Sequence, residues 1–449
     1  MQEHPTPIGH GRLKRHLGLA SATAVIVGEI IAIGIFLTPA GMARTLGAPL
    51  WILVVWLVMG AMALSGALCY GELAARFPEA GGGYVYLREA FGRRVAFLYG
   101  WKCLLVLDPG ITAALGVGVA AYVGRLVALP AGSEKVVAVA AIATLAGGNI
   151  LGLRLGASVM RSLTVLKLGL LGFILFWGFG RGLGDWGNFL PFAAQRPGSD
   201  PLVGALAGGL VSAFFAFGGW WDLSKLGGEV LEPERTVPRA FVLGVLAVTV
   251  VYILTSAVFL YLVPAEEITS DVAFAAQAGR VLFGGAGEKV FSAIVVVSVL
   301  GSLAGLTMVA PRVYYAMARD GLFVPAVASI HPRFGTPARA IALQAAIASV
   351  MVALGTFDQI VGTFLLVTVL FIALTVVAVF TLRRSRPDAG ISRIPLYPAP
   401  PAAFLVLVAV LIVLLVVGRP KESLLGVAVV LLGVPVYGVV FGRKRSEST

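Results

Sequence analysis

The sequence predicts an all-α integral membrane protein with twelve transmembrane helices. Of its 449 residues, 59% are hydrophobic and only 12% charged, and the mean hydropathy is +0.95. Soluble domains carry about a quarter charged residues, so the polar residues needed to cover several soluble domains are missing. The apolar residues also arrive in blocks of about 20 or more, enough to cross ~30 Å of hydrocarbon at 1.5 Å per residue. A membrane β-barrel would show short alternating segments instead.

The apolar segments fall over residues 18–43, 48–76, 94–127, 135–152, 159–180, 202–221, 239–263, 285–312, 338–355, 359–382, 398–417 and 423–441. Residues 1–17 are polar and read as a cytoplasmic tail. The first apolar block is too long for the h-region of a cleavable signal peptide. Segment 1 is interrupted by Gly28-Glu29-Ile30-Ile31-Ala32-Ile33-Gly34-Ile35-Phe36 and then Thr38-Pro39. Segment 6 is interrupted by Phe215-Ala216-Phe217-Gly218-Gly219-Trp220. If segments 1–5 (18–180) form one unit and segments 6–10 (202–382) another, both breaks fall on the first helix of a unit. Segment 1 would enter from the cytoplasm and segment 6 from outside, so the units have inverted topology. Segments 11 and 12 (398–441) lie outside the repeat, and 442–449 form a second cytoplasmic tail.

The formal charge of +12 does not point to nucleic acid, because the basic residues sit in short clusters between apolar blocks. They act as topology signals. With the N-terminus inside, 23 of the 34 Lys and Arg residues, Lys225 among them, face the cytoplasm, and 9 face outside. Lys102 and Lys167 remain within the membrane. Both termini are therefore expected in the cytoplasm, in the cell membrane. The two cysteines, Cys69 and Cys103, lie in apolar segments, so neither a disulfide framework nor a Cys metal site is expected. The four His residues form no metal box, and no nucleophile–base set is evident. Neither an enzyme nor a cofactor is expected.

Interrupted helices at matching positions of inverted halves mark a transporter's central site. Unwound backbone offers N–H groups at one broken end, which attract a carboxylate, and carbonyls at the other, which attract an ammonium. Two antiparallel broken helices can thus hold the zwitterion of an α-amino acid. The bland alternative, glycines serving only close helix packing, accounts less well for two breaks in matching places.

Three motifs resemble the amino acid–polyamine–organocation superfamily. The first is Gly66-Ala67-Leu68-Cys69-Tyr70-Gly71-Glu72-Leu73, continuing through Phe77-Pro78-Glu79-Ala80-Gly81-Gly82-Gly83-Tyr84-Val85-Tyr86. The second is the segment 6 break with Gly228-Glu229-Val230-Leu231-Glu232-Pro233-Glu234-Arg235-Thr236-Val237-Pro238-Arg239. The third is Ala316-Met317-Ala318-Arg319-Asp320-Gly321-Leu322, followed by His331-Pro332-Arg333-Phe334-Gly335-Thr336-Pro337. Within the superfamily the chain is most similar to L-type amino acid transporters, through Phe36-Leu37-Thr38-Pro39-Ala40-Gly41 and the phrases around Tyr70 and Phe215. The resemblance implies a five-plus-five inverted-repeat fold and alternating access for amino acids. Its Gly-Ser-Gly break matches Ala32-Ile33-Gly34, where Ile33 has no hydroxyl to offer a carboxylate.

The expected substrate-binding residues are Ile30, Ile31, Ala32, Ile33, Gly34, Phe215, Phe217, Gly218, Gly219 and Trp220. By the resemblance, Phe215 matches a gating aromatic, and the carbonyls of Phe215 and Gly218 match acceptors of the substrate amine. The family places a Lys at Lys167, where sodium-coupled relatives hold a sodium ion. This implies sodium independence, with the ammonium tying segment 1 to segment 8. Glu29 is a second functional candidate, since carboxylates inside a membrane are costly. It could meet a cationic substrate, carry a proton, or pair with Lys167 or Lys102. Asp108 and Lys102 receive no role, and Glu72, Glu79 and Glu229 are expected in ion pairs.

The expected function is therefore sodium-independent secondary transport of amino acids, with neutral ones favoured, by exchange or proton coupling. A transporter of cationic amino acids or polyamines, and a non-transporting sensor, are the alternatives. The loop from Arg125 to Lys135 has no Cys. The disulfide to a single-span heavy chain that the eukaryotic L-type relatives form is thus not expected here.

Overall fold

The computed structural model describes residues 13–130, 132–264, 267–268, 271–355, 357–386 and 394–441. The predicted tail 442–449 and most of the tail 1–17 lie outside them. No strand occurs among the described residues. Among the described residues nine helices are long and apolar enough to cross a membrane, or ten if one bent pair counts as a single span, and two shorter apolar helices occur as well.

Each apolar segment has its helical counterpart. Segment 1 splits into α1 (Leu19–Ile30) and α2 (Gly34–Leu46), bent by 45° at the break. α3 (Pro49–Arg76) begins with a proline in its first turn, where the missing N–H costs nothing. A short helix that the hydropathy pattern does not predict, α4 (Gly83–Phe91), precedes segment 3. Segment 3 is not one regular helix. α5 (Arg93–Lys102) passes through a π-helical turn, Cys103–Leu107, into α6 (Asp108–Leu126). Such turns arise where an extra residue is fitted into a helix, often at functional sites.

α7 (Glu134–Leu151) and α8 (Leu153–Gly180) follow, α8 starting six residues before the predicted segment. α9 (Leu202–Ala216) stops five residues short of the predicted end, because the chain turns at Phe217–Trp221 into two 3-10 turns, Asp222–Lys225 and Gly227–Glu229. α10 (Pro233–Leu262) starts early, at a proline suited to a helix N-terminus. α11 (Asp271–Phe283) lies in a stretch expected to be a loop. Segment 8 is divided by Pro311 into α12 (Gly287–Val309) and α13 (Pro311–Arg319). α14 (Ala338–Leu354), α15 (Phe357–Ser385), α16 (Ala399–Gly418) and α17 (Pro420–Phe441) complete the chain.

The broken pair lies at the centre. α1 packs against α8, α10 and α12, and α2 against α9. The backbone just before α1 is tied to the tail of the second break, with the His16 and Leu17 N–H groups both donating to the Glu229 carbonyl at 2.8 and 3.0 Å.

Candidate functional site: the two helix breaks

The two breaks meet. Ile31–Ile33 are non-helical between α1 and α2. Gly34, which opens α2, lies so close to α9 that a Cβ there would stand 2.7 Å from Ala216 Cα. In the second break Gly219 takes a φ of +103°, a region L side chains avoid. A Cβ at Gly219 would also stand 3.1 Å from Glu29 Cβ. Tyr252 on α10 pins the ends of both helices, its hydroxyl 2.8 Å from the Ile30 carbonyl and 2.8 Å from the Ala216 carbonyl. The carbonyl ends of α1 and α9 therefore converge on one spot.

A pocket opens between the breaks. Of the predicted site residues, Ile30, Ala32, Ile33, Gly34, Phe215, Gly218 and Gly219 line it, as does Glu29. Ile31, Phe217 and Trp220 do not. Ile31 is fully buried and turns its carbonyl to Lys167. Phe217 packs on Trp56 and Tyr252, at ring separations of 6.0 and 5.1 Å. Trp220 packs on Tyr70 at 5.2 Å and Phe404 at 6.0 Å. A stretch of unwound backbone aims successive side chains in different directions, so a contiguous run of lining residues is not what it gives. Sequence reasoning missed Leu107, Trp221, Asp222, Leu306, Leu365 and Thr368, all of which line the pocket. Asp222 was findable, being an acid three residues from Lys225 in an otherwise apolar stretch.

Lys167 lies beneath the first break and is 1% exposed. Its Nζ donates to the Gly28 carbonyl at 2.9 Å, the Ile31 carbonyl at 2.7 Å and Ser302 Oγ at 3.1 Å. Ser302 is on α12, so one ammonium joins α8, the end of α1 and α12. Gly301 makes room for it, since a Cβ there would stand 2.9 Å from Lys167 Cε.

Glu29 pairs with neither lysine proposed for it. Lys167 is turned to the carbonyls, and Lys102 Nζ sits 4.7 Å from the centre of the Tyr99 ring and 5.7 Å from that of Phe371. Glu29 is 7% exposed, and its Oε1 is buried without a hydrogen-bond partner among the described residues.

Asp108, which the sequence left without a role, belongs to a buried cluster under the second break. Its Oδ1 stands 2.8 Å from Lys225 Nζ, and Tyr314 donates to its Oδ2 at 3.0 Å. Lys225 Nζ also lies 2.8 Å from Asp222 Oδ1. Lys225 is fully buried, which corrects its reading as a solvent-facing topology signal. The count of basic residues could not see that the 3-10 turn Asp222–Lys225 folds inward.

The expected ion pairs of the three glutamates are present at the predicted cytoplasmic face. Glu229 and Arg312 meet at 2.8 and 3.1 Å with both side chains buried. Glu72 binds Arg383, Arg76 at 3.0 Å and the Ile394 N–H at 3.0 Å. Glu79 reaches Arg319 at 3.0 Å and Arg88 at 3.5 Å, and Arg88 reaches on to Asp320 at 2.5 Å. No group of three or more His, Cys, Asp or Glu residues able to hold a metal occurs among the described residues.

Known proteins similar to this chain are amino acid transporters. Residues 17–441 match the family described as amino acid permease. The chain is 32% identical over 446 residues to the serine/threonine exchanger SteT of Bacillus subtilis, covering 97% of this chain and 98% of that protein. It is 31% identical over 381 residues to the rabbit (Oryctolagus cuniculus) b(0,+)-type amino acid transporter 1, covering 84% and 77%. It is 29% identical over 439 residues to the human large neutral amino acids transporter small subunit 2, covering 96% and 82%. These relatives are named as transporters and exchangers, not as enzymes. With a matching family over almost its whole length and two apposed helix breaks at its centre, the chain belongs to the amino acid permeases of the amino acid–polyamine–organocation superfamily.

Proposed function

We propose that this protein is a sodium-independent secondary transporter of neutral amino acids, working by alternating access. In this reading the twelve apolar segments all span the cell membrane with both termini in the cytoplasm. Residues 18–180 and 202–382 form inverted five-helix repeats, and 398–441 add two helices. The amino acid lies between the breaks. Its ammonium faces the carbonyl ends of α1 and α9, and its carboxylate faces the first N–H groups of α2, which have no partner inside the helix. Phe215, half-buried at the pocket wall, gates access.

The carrying observation is Lys167. Its ammonium meets two backbone carbonyls and a serine hydroxyl between α1, α8 and α12, the kind of oxygen set that would hold a bound cation. A protein that supplies this charge covalently does not need sodium there. Exchange is favoured over proton coupling by the likeness to a serine/threonine exchanger along nearly the full length of both chains.

The test is uptake of labelled amino acids into proteoliposomes, with and without amino acid inside, in sodium or choline. Uptake that needs internal amino acid and is equal in both salts supports the reading. A steep dependence on sodium would overturn it, and binding without uptake would make the protein a sensor.

A further inference from the structure

The two ends of the pocket are unequal. The last residues of α1 and α9, Ile30 and Ala216, both line the pocket, each at a helix C-terminus carrying about half a negative charge, and two carboxylates, Glu29 and Asp222, line it as well. Asp222 has Lys225 at 2.8 Å, which it shares with Asp108. Glu29 has nothing comparable. Its Oε1 is buried and accepts no hydrogen bond from any described residue. A buried charge without a partner costs several kcal/mol, and proteins rarely leave one. The neighbouring helix also makes room for that carboxylate, since a Cβ on Gly305 would stand 2.5 Å from Glu29 Oε1.

The carboxylate end offers far less. No Lys, Arg or His is among the described residues that line the pocket. The position where the family resemblance puts a serine hydroxyl is Ile33, and it too lines the wall. A bound carboxylate would meet backbone N–H groups and at most the neutral donors of Thr368 and Trp221.

We propose that Glu29, with Asp222 beside it, is the counter-charge for the ammonium of the cargo, so that the pocket recognises a primary amine and treats the α-carboxylate as optional. The ligand class is then wider than amino acids and includes amino acid amides and simple alkyl amines of matching shape. This rests on the transporter reading above, and it names the chemical group that the same site selects.

The experiment measures binding to the purified protein of leucine, leucinamide, isoamylamine and N-acetylleucine, and of the matching alanine, alaninamide, ethylamine and N-acetylalanine. The expected result is that amide and amine bind within about tenfold of the parent amino acid, a difference of ~1.4 kcal/mol, while the N-acetyl compounds do not bind. Glu29→Gln, which keeps the side chain's shape, should weaken every amine ligand about tenfold or more, and Asp222→Asn should weaken them less. If leucine or alanine binds while its amide and amine do not, this inference fails and the transporter reading stands. It fails equally if an N-acetyl compound binds as well as its parent. If no amino acid binds at all, the transporter reading fails with it. The series on the unaltered protein decides the matter even if a variant does not fold.

Discussion

Replacing Lys167 by methionine removes the ammonium and keeps most of the stem. Two backbone carbonyls, Gly28 at 2.9 Å and Ile31 at 2.7 Å, lose their donor. Ser302 Oγ lies 2.7 Å from the first and 3.0 Å from the second, but its single hydrogen serves only one of them, and Ser298 Oγ reaches the Ile31 carbonyl only at a long 3.4 Å. Losing the hydrogen bonds to the charged donor costs about 1.5–3 kcal/mol. The end of α1 is released from α8 and α12 by that amount. With ~1.4 kcal/mol per tenfold, a break held in its transporting geometry by this bridge should lose about tenfold to a hundredfold in transport rate. The assay is the initial rate of exchange in proteoliposomes, with the amount of inserted protein measured alongside. Retention of more than about a tenth of the parent rate by Lys167→Met would refute the reasoning.

Four further outcomes are expected. Gly34→Ala sets a Cβ against Ala216 Cα at 2.7 Å; because backbone must move, exchange should fall at least about tenfold, and unchanged exchange would show that the breaks can separate freely. Tyr252→Phe removes the hydroxyl between the Ile30 and Ala216 carbonyls and should cost about 1–3 kcal/mol in thermal stability of the purified protein, more than the same change at an exposed tyrosine. Arg312→Met leaves Glu229 buried and unpaired and should cost about 3–5 kcal/mol, much of it recovered in Arg312→Met/Glu229→Gln; a double variant as unstable as the single one would contradict the pairing. On non-reducing gels the protein should run as a species free of any disulfide-linked partner, since Cys69 and Cys103 are both buried, and a reducible larger complex would count against this.

The helical, membrane-embedded character was legible because it rests on composition and block length, which no tertiary contact can reverse. Both breaks were legible too, because glycines in an apolar block are a local signal. What the break does with its side chains was not. Ile30 and Ile31 are chemically alike and adjacent, yet one lines the pocket and the other turns away with its carbonyl on Lys167. Periodicity gives facing only while the helix lasts, and both breaks end it. The same loss hid the walls supplied by Leu306 and Thr368, which come from α12 and α15, distant in sequence and marked by no motif.

The charged residues show the limit most clearly. A charge near the end of an apolar segment can be a solvated topology signal or half of a buried pair, and the residue type is the same in both. Lys225 and Arg312 were counted among the 23 inside cations, and each is 1% exposed or less in the fold. Moving them leaves 21 against 9, so the inferred orientation keeps its basis while the meaning of two residues changes. What separates the cases is a partner of opposite sign that must also be hidden. Lys225 has Asp222 at i−3 and Asp108 across the fold, and Arg312 has Glu229. Glu29 differs from these two, its Oε1 having no hydrogen-bond partner among the described residues. A carboxylate in the wall of the pocket is, on the inference proposed above, the counter-charge for the amine of the cargo, and the missing half of the pair then lies outside the chain.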